Sequence, residues 1–141
     1  MPSTETPPTI LSQATAPADP MAHGMARVDA VIRERLTSDV ALIEQISHYI
    51  IGAGGKRIRP RLVLLFAEAL GYAGTEPYEL AAIVEFIHTA TLLHDDVVDE
   101  SSLRRGRRTA NAEFGNSAAV LVGDFLYSRA FQMMVLSLIH I

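Results

Sequence analysis

The stretch RLVLLFAEALG, residues 61–71, decides between a sheet and a helix for the middle of this chain. Its five consecutive apolar residues, Leu62 to Phe66, fit a buried strand or a buried helix equally by periodicity alone. The next five positions separate the two: Ala67, Glu68, Ala69 and Leu70 extend the run with good helix formers, and Gly71 stops it. The composition therefore predicts a buried helix. Pro60 suits its first turn, where a missing N–H matters little.

Upstream, three glycines in GAGGKRIRP, residues 52–60, separate this helix from an earlier apolar stripe. Val28, Val31, Ile32, Leu36, Val40, Ile43, Ile46 and Ile50 recur at three- and four-residue steps, which predicts one helix over about 26–51. Residues 1–25 hold five of the seven prolines and neither lysine nor arginine, the composition of a disordered N-terminal tail. A transit peptide would be expected to carry arginines. Downstream, GYAGTEP reads as a turn, with Thr75 as N-cap and Pro77 in the first turn of a third helix running to about residue 99. SSLRRGRR reads as a loop; helix resumes near residue 109, breaks near Gly115 and continues from about residue 117. No strand pattern or internal repeat is visible. The expected fold class is therefore all-α, an antiparallel helical bundle, with residues 26–141 as its folded part.

A chain of 141 residues that is 49% apolar can bury a core. Its 12 basic and 16 acidic residues leave it mildly acidic, which disfavours nucleic-acid binding through a general basic surface. Eight of the twelve basic residues lie in two places, Lys56, Arg57, Arg59 and Arg61, then Arg104, Arg105, Arg107 and Arg108. Electrostatic function should reside in those clusters. The absence of cysteine excludes disulfides, thiolate metal sites and a cysteine nucleophile within this chain. No secretory signal pattern is visible, and no uninterrupted apolar run approaches the ~18 residues of a membrane span, so a soluble cytoplasmic protein without a transmembrane segment is expected.

The charges concentrate in HDDVVDESSLRRGRR, residues 94–108, where four acids precede four arginines. At 100° per residue, His88, Asp95 and Asp99 fall within about 40° of one another, with Thr91 beside them, and Asp96 points about 100° away from Asp95. Asp96 is thus better placed to support a site than to occupy its centre. Carboxylates four residues apart on a helix repel one another unless a cation is present, and acids at a helix C-terminus also oppose its dipole. All-oxygen donors favour Mg²⁺, which commonly keeps waters and binds substrate phosphates. Arginines close by then suit a diphosphate held by metal on one side and guanidinium groups on the other, with Lys56 as a point charge beside the glycine-rich turn. The plainer alternatives are solvated acids at a helix end and solubilising basic loops. His94 suits packing or support of a neighbour better than ligation, His23, His48 and His140 have no evident partners, and Met133 and Met134 read as core filler.

YIIGAGGKRIRPRLVL, EFIHTATLLHDDVVDESSLRRGRRTANAEFGN and VLVGDFLYSRAFQMM together resemble the trans-isoprenyl diphosphate synthases, the polyprenyl synthetase family, over about residues 27–135. The resemblance implies an all-α isoprenoid-synthase bundle around a central cavity and a Mg²⁺-dependent prenyltransferase. Its substrates would be isopentenyl diphosphate and an allylic prenyl diphosphate. By the same resemblance Asp95 and Asp99 hold Mg²⁺ with Asp96 in support, Lys56, Arg59, His88 and Arg105 bind isopentenyl diphosphate, and Arg104 contacts the allylic substrate. No general base can be assigned; the leaving diphosphate is itself a candidate acceptor. Small residues at Ala90 and Thr91, just before the aspartates, imply a long product around the octaprenyl class, used for quinone side chains. A homodimer is implied for the full-length protein. Members of the family are roughly twice this length and carry a second aspartate-rich motif; here only Glu113 and Asp124 follow the arginines, so a truncated, by itself inactive, N-terminal part of the domain is expected. Two alternatives are a metal-dependent phosphohydrolase and a non-catalytic subunit of a heteromeric prenyl synthase.

Overall fold

The computed structural model describes residues 19–52 and 55–138, and among these its elements run α1 (Ala22–Arg35), α2 (Ala41–Gly52), α3 (Ile58–Ala69), α4 (Glu76–Val98), β1 (Leu103–Arg104), β2 (Arg107–Arg108), α5 (Ala110–Phe114) and α6 (Asn116–Leu138). The ambiguous run at 62–66 is helical, inside α3, and the all-α class stands.

Helix α4 organises the rest. Ala82, Phe86, Thr89, Leu93 and Asp96, spaced four and three residues apart, are all buried on one stripe. Ala119, Val122, Leu126, Ala130 and Met133 form the corresponding stripe of α6, and these two helices make the most extensive contact in the molecule. Helices α1 and α3 pack on other parts of α4, with Val28, Ile32 and Leu36 of the α1 segment fully buried. Each such side chain stabilises the fold by roughly 1.5–3 kcal/mol relative to exposure. At the α4–α6 contact the His94 ring lies so close to Gly123 that a Cβ there would overlap it. Glycine at 123 is therefore a packing requirement.

Several expectations need correction. The single helix over 26–51 is two helices, interrupted at residues 36–40. Thr37 Oγ1 donates to the Glu34 carbonyl at 2.8 Å, and Ser38 Oγ accepts from the Val40 amide at 3.1 Å. Short polar side chains here compete with the helix ladder for backbone partners. Val40, expected on the buried stripe, is exposed. The tail boundary also moves: α1 starts at Ala22, before residue 25, and residues 1–18 of the expected tail lie outside the described residues.

Helix α3 is helical as expected but not buried. Leu64 and Pro60 are covered, whereas Leu62, Leu65 and Phe66 are 46%, 47% and 66% exposed. A helix apolar all round can turn only part of its circumference towards α1 and α4. Thr75 occupies the N-cap position of α4 without a side-chain capping bond. The arginine loop contains a two-residue β-hairpin, Leu103 opposite Arg108 and Arg104 opposite Arg107, a strand pair too short to show period-two alternation. Finally, Asn116–Ser137 is long and apolar enough to cross a membrane by length and composition, a property that a search for uninterrupted apolar runs does not test. Asp124 and Arg129 interrupt that run, and its buried stripe lies in the protein core.

Candidate functional site

Three segments converge on a cavity of about 550 Å³: the connection from α2 to α3, the middle of α4, and the arginine hairpin. Each is held by local chemistry that can be traced to the sequence.

In the first segment, Arg57 adopts φ 48°, a left-handed conformation uncommon for a residue with a side chain. Its guanidinium is ion-paired to Asp29 of α1 and donates to the Ile51 carbonyl at 3.5 Å, contacts that hold the turn. Gly55 has φ 146°, and the Arg105 guanidinium lies where its Cβ would be. The backbone conformation therefore favours glycine at 55, and any side chain there would have to displace the Arg105 guanidinium. The result is that Lys56 and Arg59 face the cavity beside Arg105.

The second segment supplies His88 and Asp96. Arg59 Nη1 donates to His88 Nε2 at 3.1 Å, which requires the imidazole to carry its proton on Nδ1. Burial, then the nearby Arg59 charge, lowers the His88 pKa below its ordinary 6.5, with Glu85 opposing and Arg105 and Arg104 adding smaller effects. The ring is thus neutral at neutral pH. Asp96 is 5% exposed because it continues the stripe of Phe86 and Leu93 by one turn. Its two oxygens accept both prongs of Arg104, from Nη2 at 2.6 Å and from Nε at 3.0 Å. The Asp96 hydrogen bonds raise the Arg104 pKa further, so this guanidinium is a permanent charge fixed in orientation.

The third segment is the hairpin. Arg105 and Gly106 form its turn, both with positive φ, 53° and 75°. This pairing matches the right-handed twist of the flanking strands. Thr109 closes the base: its hydroxyl donates to the Ser101 carbonyl at 2.7 Å and accepts from the Ala112 amide at 3.3 Å, capping α5. Asn111 Nδ2 donates to the same Ser101 carbonyl at 2.9 Å. Arg108 is engaged by the Ala112 carbonyl at 2.7 Å and Glu113 at 3.1 Å.

The structure thus brings together Lys56, Arg59, His88, Asp96, Arg104 and Arg105 from the expected site. Asp95, Asp99, Ala90 and Thr91 do not line the cavity. Asp95 and Asp99 are exposed, one turn apart near the C-terminal end of α4, and neither side chain has a hydrogen bond or ion pair among the described residues. No group of three or more histidine or acidic side chains gathers among the described residues. Two unpaired carboxylates with oxygen donors only do fit a hard dication that draws its remaining ligands from water and phosphate. Ala90 is fully buried in the core, while Thr91 is half-buried and donates to the His88 carbonyl at 2.6 Å.

His94 is a packing residue, as expected, 3.3 Å from both the Val120 carbonyl and Asp124 Oδ1 and stacked obliquely on Tyr127. Met133 is fully buried in the core and Met134 packs against it. His48 has a partner one turn back, Glu44 at 3.8 Å; His23 lines a smaller cavity, and His140 lies outside the described residues. Tyr49, Thr109 and Asn111 were not singled out by sequence. Thr109 carried a legible signal, a threonine just before the residue at which helix resumes.

A family model described as polyprenyl synthetase matches residues 40–138. The octaprenyl diphosphate synthase of Escherichia coli (strain K12) is 64% identical over 113 residues, 80% of this chain and 35% of that protein. The all-trans-nonaprenyl-diphosphate synthase (geranyl-diphosphate specific) of Rhodobacter capsulatus is 54% identical over 117 residues, 82% of this chain and 36% of that protein. Among solved structures, a decaprenyl diphosphate synthase from Rhodobacter capsulatus superposes with a TM-score of 0.79 at 56% identity, covering 82% of this chain and 36% of that one. A polyprenyl synthase from Caulobacter crescentus CB15, complexed with calcium and isoprenyl diphosphate, gives a TM-score of 0.79 at 50% identity, covering 82% and 35%. The chain spans about a third of the length of the curated relatives it matches.

Proposed function

The chain belongs to the polyprenyl synthetase family, and on that premise we propose that its cavity binds isoprenoid diphosphates for head-to-tail condensation of isopentenyl diphosphate with an allylic diphosphate. The product is a long-chain prenyl diphosphate of about the octaprenyl class, serving isoprenoid quinone biosynthesis. The observation that carries this reading is the convergence of two basic clusters, distant in sequence, on one cavity lined by seven basic side chains against two acidic ones. The family match leaves the phosphohydrolase alternative without support.

Lys56, Arg59, Arg105 and neutral His88 bind the diphosphate of isopentenyl diphosphate. Arg104, oriented by Asp96, contacts the allylic diphosphate. Asp95 and Asp99 would hold Mg²⁺, with Asp96 in support, and the bound ion supplies positive charge against the developing diphosphate anion. The guanidinium groups stabilise that anion as the allylic C–O bond ionises. The isopentenyl double bond then attacks the allylic cation, and loss of a proton completes the cycle. No side chain is assigned as the base; the departing diphosphate is the proposed acceptor. As the family resemblance implies, small side chains at Ala90 and Thr91 favour a long product in the whole protein; neither lines the diphosphate cavity. The protein would act in the cytoplasm as a homodimer.

A chimaera tests this directly: the 113 aligned residues of this chain replace their counterparts in the Escherichia coli octaprenyl diphosphate synthase. With Mg²⁺ it should form long-chain prenyl diphosphates, and Ala90→Phe in the same chimaera should shorten them on chromatography. A folded chimaera without prenyl transfer contradicts the proposed activity, and an unchanged product after Ala90→Phe contradicts the role of that position.

A further inference from the structure

We infer that Tyr49 is the positioning residue that fixes the arginine hairpin relative to the Lys56–Arg59 turn, and so sets the affinity of the cavity for diphosphate. The inference rests on the diphosphate reading above and deepens it.

A two-stranded ribbon of two residues per strand has little stability of its own. The placement of its arginines must come from contacts outside it. Asp96 holds the outgoing strand through Arg104, and Thr109 and Asn111 hold the base. The return strand is gripped from α2 by Tyr49. The Tyr49 hydroxyl donates to the Arg108 carbonyl at 2.9 Å, and the Arg107 guanidinium carbon lies 3.9 Å above the centre of its ring. The ring also meets Phe114 of α5 edge-on, with centroids 5.2 Å apart and planes at 83°.

Tyr49 lies three residues before Gly52, the end of α2, and the basic turn follows directly. The helix that grips one cationic cluster thus immediately precedes the other in sequence. Lys56, Arg59 and Arg107 have no ion pair among the described residues; Arg59 is held by its bond to His88, and Arg107 rests on the Tyr49 ring. A phosphate ligand spanning both clusters gains from having their separation set beforehand, because less ordering remains to be done on binding.

The test uses this chain with inorganic diphosphate and Mg²⁺, read by calorimetry beside a thermal melt, for wild type, Tyr49→Phe, Tyr49→Leu and Lys56→Ala. Tyr49→Phe keeps the ring under Arg107 and against Phe114 but loses one neutral hydrogen bond; diphosphate affinity should fall about threefold. Tyr49→Leu also removes the ring contacts, and affinity should fall about tenfold or more. A double-mutant cycle pairing Tyr49→Leu with Arg107→Gln should be non-additive in affinity. A residue that only stabilised the fold would lower the melting temperature and leave affinity unchanged, and that pattern in Tyr49→Phe, together with additive losses in the cycle, overturns the inference. Binding by wild type that Lys56→Ala weakens and both Tyr49 variants leave unchanged overturns it while the diphosphate reading survives. No binding by wild type overturns both.

Discussion

His88 carries a proton-linked signature of the site. Its folded pKa lies below 6.5, first because of burial and then because of Arg59. An unfolded imidazole therefore protonates before the folded one as pH falls. The contribution of this group to stability is present above pH 6.5 and is lost as pH drops through the depressed folded value. Replacing His88 by Gln should make the decline in stability below pH 6.5 shallower than in wild type, measured by chemical denaturation at several pH values. By NMR the wild-type titration midpoint should lie below 6.5 and rise when inorganic diphosphate enters, since an anion favours the protonated ring. A midpoint at or above 6.5 in the free chain contradicts the electrostatic description. Residue by residue, the sequence made Lys56, Arg59, His88, Arg104 and Arg105 visible through charge clustering and helical spacing. It hid Tyr49, because an aromatic on an amphipathic helix looks like core filler until the hairpin arginine stacked on its ring is in view. It also hid the positive φ of Arg57 and Arg105, positions where glycine would have advertised the conformation.

Helices and turns were legible where periodicity was long and their ends chemically marked. The bounds of α4, Glu76–Val98, and the break at Gly115 fall within a residue or two of expectation. The split between α1 and α2 was missed because the apolar spacing passes straight through Leu36 and Val40, while the interruption depends on Thr37 and Ser38 bonding to nearby backbone. At this scale the hairpin base gives a further prediction. Thr109 is 3% exposed and both caps α5 and ties it to Ser101. Thr109→Ala should destabilise the chain by about 1–2 kcal/mol, whereas Thr109→Ser, which keeps both bonds, should recover most of that loss in urea denaturation. Equal stability of the alanine and serine variants contradicts the capping role.

At the scale of the whole molecule, a chain of formal charge −4 gathers a cationic cavity by folding two short basic segments onto one side of α4. The acids are sorted by the same helix. Asp96 turns inward and orients Arg104, while Asp95 and Asp99 are exposed. The central proposal builds on that division: Asp95 and Asp99 would hold a cation that, with the arginines, binds a diphosphate. The most direct measurement is titration calorimetry of inorganic diphosphate into this chain with and without Mg²⁺, for wild type and Asp95→Ala. Wild type should bind at least about tenfold more tightly with Mg²⁺, a difference of about 1.4 kcal/mol, and Asp95→Ala should lose that enhancement. Equal affinity in the presence and absence of the ion, or full enhancement in Asp95→Ala, contradicts it.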